Sequence, residues 1–220
     1  RQPVSSTTLS NGQFMDLYKF QVSADAAGSL ALKKVTFSIT TATGTGSNLS
    51  LSGFRLRSGS TELSSSQVSI TNFYGADLQS GTFTNTANTT TAAAIAQRVV
   101  VTFTNEDTIS GSGRVYTLSA TVAGSIVGDQ VTTSMTRTDD TAVVTGYLLP
   151  TAHGIATSMY GPHINTATSP SIHTTSTADF VWSDLSEVPH SDAVGSAGGS
   201  SDWTNGYLVE DMTQSVTLTR

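Results

Sequence analysis

The sequence predicts an all-β protein: a sandwich of two sheets followed by an extended C-terminal segment. Three observations predict it. Tyr18, Phe20, Val22 and Ala24 fall on every second residue, with Lys19, Gln21 and Ser23 between them. That is the two-residue period of a strand with one dry and one wet face. Ser and Thr supply 69 of the 220 residues while charged residues supply only 12%, and Thr favours strands as Ser favours turns. Finally, alternating runs recur between glycine-marked turns with no βαβ rhythm, which favours a sandwich over a parallel sheet. The same alternation argues against reading the Ser/Thr content as disorder.

Taken in order, Arg1–Ser10 is an edge strand or a loose arm, ended by the turn signal Asn11-Gly12. Leu17–Thr40 reads as a hairpin turning at Asp25–Gly28, and its phase slips at Lys33–Lys34 as a β-bulge would make it slip. A Gly/Thr loop over 41–48 leads to Leu49, Leu51, Phe54 and Leu56, with a second slip at Ser52–Gly53. Ser58-Gly59 turns the chain into Thr61–Leu63, and Val68 and Ile70 continue a strand to Phe73. Tyr74–Thr91 reads as a long loop, and 91–97 (TAAAIAQ) is the single helix-like stretch. Val99, Val101 and Phe103 form the next apolar face, and SGSGR at 110–114 turns the chain. Tyr116, Leu118, Ala120 and Val122 follow, then Val131, Thr133 and Met135, with Ala142–Val144 as a last strand. A dozen such side chains, each contributing roughly 1.5–3 kcal/mol on burial, offset the chain entropy only if two sheets face each other.

Composition divides the chain. Arg1–Arg137 carries nine basic and seven acidic residues, whereas Thr138–Thr219 carries nine acidic and no basic ones. Four of the five prolines and all four histidines lie in that second part. The expected organisation is a β-sandwich core over 1–145, a Pro/Thr-rich linker over 146–178, and a C-terminal aromatic β segment over 179–220. That last segment forms an interface or completes a sheet. Trp182, Trp203, Phe180 and Tyr207 lie in it and need something to pack on.

The same composition bounds function. There is no cysteine, hence no disulfide or thiolate metal site. A chain that opens on Arg1 without methionine fits removal of a leader, and secretion to the cell surface is the expected location. With a net charge of −6 and no basic stripe, nucleic acid is not an expected partner. No apolar run approaches the ~18 residues of a membrane span. The sequence lacks both G-x-S-x-G and H-E-x-x-H, and its carboxylate pairs are mere sequence neighbours, so no enzyme is expected.

LYKF-V-ADAAG and LKKVTF within 17–37, with FVWSD and DWTNGYLVED within 180–211, resemble predicted secreted surface proteins of environmental bacteria. That resemblance implies an immunoglobulin-like sandwich with an aromatic tail and carries no chemistry with it. Architecturally the chain is similar to fibre and pilus subunits in which a neighbour's strand completes each sandwich, an analogy of fold alone.

The candidate sites follow. Val216 and Leu218 alternate with Thr217 and Thr219, as a strand donated to the next copy would, with Arg1–Ser10 as the competing donor. Trp182, Trp203 and Tyr207 would anchor that contact or form a platform for a polysaccharide. Asn48 and Asn88 open N-glycan tripeptides, and Thr89, Thr90, Thr174 and Thr175 lie in tracts dense enough for O-glycans. Asp139 and Asp140, and the group Asp184, Glu187, His190, Asp192 and Asp202, are the candidate calcium sites, their carboxylates supplying the oxygen ligands. Without EF-hand spacing, surface acidity is the better account, so no cofactor beyond covalent glycans is expected. The resulting expectation is a structural subunit that polymerises head to tail with copies of itself. The alternative is an adhesin-like or polysaccharide-binding module of a larger envelope protein.

Overall fold

The computed structural model describes residues 1–24, 28–72, 76–84, 98–135, 179–192, 200, 202–206, 209 and 214–220. Among these residues the protein is all-β, with no helix and so none long and apolar enough to cross a membrane. The strands are β1 (Phe14–Val22), β2 (Ser29–Ala42), β3 (Ser50–Ser58), β4 (Thr61–Glu62), β5 (Val68–Asn72) and β6 (Thr82–Thr84). They continue as β7 (Arg98–Ser110), β8 (Arg114–Ala123), β9 (Gln130–Met135), β10 (Phe180–Ser183), β11 (Trp203–Asn205) and β12 (Ser215–Thr219). They form two antiparallel sheets. The first runs β1-β8-β3-β4, with β6 also on β3; the second runs β11-β10-β2-β7-β5, with β9 on β2 and β12 on β9.

The alternating faces meet between the sheets. Tyr116, Leu118, Ala120 and Val122 of β8 are fully buried, as are Val99 and Val101 of β7. Rings join the two layers: Tyr18 and Phe20 of β1 lie 5.8 and 5.9 Å from Phe37 of β2, and Tyr116 of β8 lies 5.8 Å from Phe103 of β7. Edge-on pairs at these separations add to what their burial alone contributes.

This arrangement corrects the hairpin expected over Leu17–Thr40. β1 pairs with β8 in one sheet, whereas β2 pairs with β7, β9 and β10 in the other. The two strands face each other across the core, because that buries both apolar faces at once. The turn at 110–114 likewise crosses between sheets, carrying β7 of the second into β8 of the first. Both expected irregularities occur. The β2–β7 register shifts between Leu32 and Lys34, and the β3–β8 register shifts between Ser52 and Arg55 around the positive-φ Gly53. The expected long loop from Tyr74 is also corrected where it is described. Thr82–Thr84 forms β6 on β3, and Thr71 bridges Asp77. The helix-like stretch 91–97, the strand at 142–144 and the linker 146–178 lie outside the described residues.

β2 organises the second sheet. One of its edges carries β7; the other carries β10 along Ala31–Val35 and β9 along Phe37–Ala42. β10 therefore lies directly beside the bulge, where Lys34 alternates with the core-facing Val35 and is buried on the opposite face. Lys34 is buried beside Asp179 and Arg98, and burial above all pushes its ammonium down to about 8, with Asp179 opposing and Arg98 adding to the shift.

Candidate functional site

The seam between the two sheets is the candidate site, and both chain segments named as donors meet there. β12 pairs antiparallel with β9 from Ser215↔Ser134 to Thr219↔Gln130. Val216 and Leu218 point into the core and are 5% and 0% exposed, while Ser215, Thr217 and Thr219 face outward. Thr217 meets Thr132 hydroxyl to hydroxyl at 2.9 Å on that outer face. The alternation read from the sequence therefore has a local cause: one face meets core and the other meets water.

Residues 1–9 cover the seam. At one end the Gln2 N–H donates to the Lys19 carbonyl of β1, the edge strand of the first sheet, at 2.8 Å. At the other end the segment lies parallel to β12, with Thr8 opposite Thr219. There the Thr219 N–H donates to the Thr7 carbonyl and the Leu9 N–H donates to the Thr219 carbonyl, both at 2.8 Å. Leu9 is 1% exposed and belongs to the core, against which Val4 also packs. Side chains tighten the closure. Arg1 Nη1 donates to the Ser215 carbonyl at 2.6 Å, Tyr18 Oη to the Gln214 carbonyl at 2.9 Å, and Arg220 Nη1 to the Leu9 carbonyl at 3.2 Å. Arg1–Ser10 is thus an arm tied down at both ends.

A buried carboxylate anchors the end of β12. Asp129 accepts from the Gly44 N–H at 2.8 Å, the Ser47 hydroxyl at 2.5 Å and the Ile126 N–H at 2.9 Å. Burial pushes its carboxyl up, but the Ser47 hydroxyl and the Ile126 and Gly44 amides together hold it below the ordinary carboxylate range. Its own backbone carbonyl accepts from the Arg220 N–H at 2.9 Å, so the loop and the strand are one knot.

The aromatic segment docks on the same edge of β2 that carries β9. β10 pairs with β2 and β11 with β10. Trp203 is fully buried, donates its Nε1–H to the Ser191 carbonyl at 3.1 Å, and lies 5.0 Å from the His190 ring. A ring so enclosed offers no face to a sugar. Trp182 is partly buried against the core, and Tyr207 lies outside the described residues.

His190 Nδ1 lies 2.9 Å from one Asp202 oxygen, and Nε2 lies 2.9 Å from Glu106 of β7. Both nitrogens are committed to carboxylates, an arrangement that clasps a loop to a strand and leaves neither nitrogen to activate a nucleophile. Asp192 is taken by Lys33 at 2.6 Å. Of the acidic group weighed from the sequence as calcium donors, Asp202 thus faces His190 and Asp192 faces Lys33. Among the described residues no cluster of three or more His, Asp or Glu could hold a metal. Glu106 is the member that sequence reasoning missed; it lies 84 positions from His190, with no local motif to mark it. Asp139, Asp140, Asn88, Thr89, Thr90, Thr174 and Thr175 lie outside the described residues, and Asn48 is exposed between β2 and β3.

No protein-family model, curated protein or solved structure matches this chain.

Proposed function

We propose that this chain is a structural subunit of an extracellular filament or surface layer, with an immunoglobulin-like sandwich assembled by strand complementation between copies. The observation that carries the reading is the seam. The edge strands of both sheets, β1 and β12, are completed there by one short extended segment with a single deep apolar plug, Leu9. Uncovered, two such edges and an apolar groove would be a template for pairing with another chain. Backbone bonds plus alternate buried side chains are the chemistry by which β-strand addition gains both affinity and register. Made head to tail, a contact of this kind is heterologous, and repeating it builds a filament wherever the rotation between copies does not close. A non-enzymatic role at the cell surface fits the hydroxyl-rich composition, and the exposed Asn48 leaves room there for a glycan.

Electron micrographs of the purified chain at rising concentration test the reading. Long, regular polymers are expected, and deleting 214–220 should abolish them. A protein that stays monomeric throughout would overturn it. The polysaccharide-binding alternative draws less support, since Trp203 is enclosed by its own chain.

A further inference from the structure

We infer that the segment shared between copies is residues 1–9, pivoting at Ser10, and that its receptor is the β12 edge of a second copy of this chain. The inference rests on the polymer reading above and names the element that carries it.

Two segments meet at the seam, and they are held very differently. β12 has an antiparallel partner along its whole length, buries two side chains, and ends in the Asp129 knot. Moving it would open a ladder and a loop together. Residues 1–9 are held by backbone bonds only near their two ends, by one fully buried side chain, and by surface contacts such as Ser5 Oγ to Asp16 Oδ2 at 2.9 Å. The segment is the weaker-held of the two, so it is the one that exchanges.

Its root is built as a pivot. Asn11 is fixed on both sides of its amide: Oδ1 accepts from the Ser125 N–H at 2.8 Å and Nδ2 donates to the Ser125 carbonyl at 2.8 Å. The Gly12 N–H is held by the Val122 carbonyl at 2.8 Å. Gly12 itself sits at φ 72° in open space, with nothing within 4 Å of a would-be Cβ. The left-handed Gly12 sets the direction of this root, and with Asn11 and the Gly12 N–H clamped the arm swings ahead of them, at Ser10, without dragging the sheet along. Nine extended residues reach about 30 Å, enough to span to a neighbouring copy. The receptor needs no new chemistry. The Thr219 backbone and the Leu9 pocket take the same sequence in trans that they take in cis, so the choice between the two depends only on concentration and geometry.

The chain has no cysteine, which makes a direct test available. Thr8 and Thr219 are directly opposed in a parallel bridge, a separation that suits a disulfide. An isotope-labelled Thr8→Cys chain is mixed with an unlabelled Thr219→Cys chain, polymerised, oxidised and mapped by mass spectrometry. The expected result is an 8–219 cross-link joining a labelled to an unlabelled chain in the polymer fraction. The double variant Thr8→Cys/Thr219→Cys, oxidised as a dilute monomer, should polymerise at least about tenfold less, and reduction should restore it. Polymers that form without the mixed cross-link, and that survive locking of the double variant, would overturn the inference while leaving the polymer reading intact. The absence of any polymer from the unmodified chain would remove both.

Discussion

Replacing Lys34 with Met removes an ammonium that the fold holds in its interior, and the consequence is calculable. Lys34 is 2% exposed. Burial lowers its pKa from 10.5 to about 8 against the pull of Asp179, with Arg98 pushing the same way as burial. Below the folded value the group is charged in both folded and unfolded chains. Between about 8 and 10.5 the folded chain gives up its proton while the unfolded chain keeps it, so stability rises with pH across that window. At neutral pH, carrying the charge costs about 3 kcal/mol, each tenfold step in proton affinity being worth about 1.4. Moving from pH about 7 to about 9.5 should recover about 2 kcal/mol of it. Near 10 the trend is opposed by Tyr116, whose hydroxyl is pushed up by burial and by the Asp107 carboxylate, so that it ionises first in the unfolded chain. Urea unfolding followed by tryptophan fluorescence at a series of pH values measures the slope. Lys34→Met should be more stable than the parent at pH 7 and flat from 8 to 9.5, with Arg98 still 3.5 Å from Asp179. A parent protein whose stability is flat or falling over that interval, or a variant that keeps the parent's slope, would refute the reasoning.

Three further outcomes follow from burial and geometry. Leu9→Ala should lose about 2–5 kcal/mol in the same unfolding assay and Leu9→Met less than about 1.5, because the plug is fully enclosed. Asp129→Ala leaves the Gly44 and Ile126 amides without their acceptor and should cost about 1–3 kcal/mol for each. Since the Asp129 carboxyl is held below its ordinary range, its contribution is complete at neutral pH and is lost on acidification through the folded value. The variant's stability should therefore fall less steeply with acid than the parent's. Gly124→Ala should be far more damaging than Gly12→Ala. Both glycines have positive φ, costing about 1–2 kcal/mol for any other residue, but a Cβ at Gly124 would also lie 2.3 Å from the Asn48 carbonyl oxygen.

What the sequence disclosed was the face each side chain takes, and what it withheld was the partner. The period of Tyr116, Leu118, Ala120 and Val122 marks a buried face whichever strands lie alongside, and the slips at Lys33–Lys34 and Ser52–Gly53 are local events that leave a local trace. Pairing leaves none. β1 and β2 carry the same pattern whether they bond edge to edge or face each other across a core, so a hairpin was the natural but mistaken reading. β6 went unseen because three residues in a polar stretch cannot establish a period. In the candidate site, the alternation of Val216 and Leu218 was legible, but Leu9 and Val4 stand five residues apart in a polar arm with no period to mark them, and the approach of Glu106 to His190 depends on the whole sheet.

The seam also dictates an order of events during synthesis. Arg1 meets Ser215 across 214 positions, and Arg220 meets Leu9 across 211, so the contacts that close this fold must wait until nearly all of the span between them has been made. A ribosome working from one end releases Leu9 and the apolar face of β1 long before Thr219 exists. Contacts between such distant residues form slowly even once all of the chain is present, and an unsatisfied edge exposed in that interval is open to any neighbour emerging beside it. On the polymer reading proposed above, crowding of nascent copies would bias whether each molecule closes upon itself or upon the next.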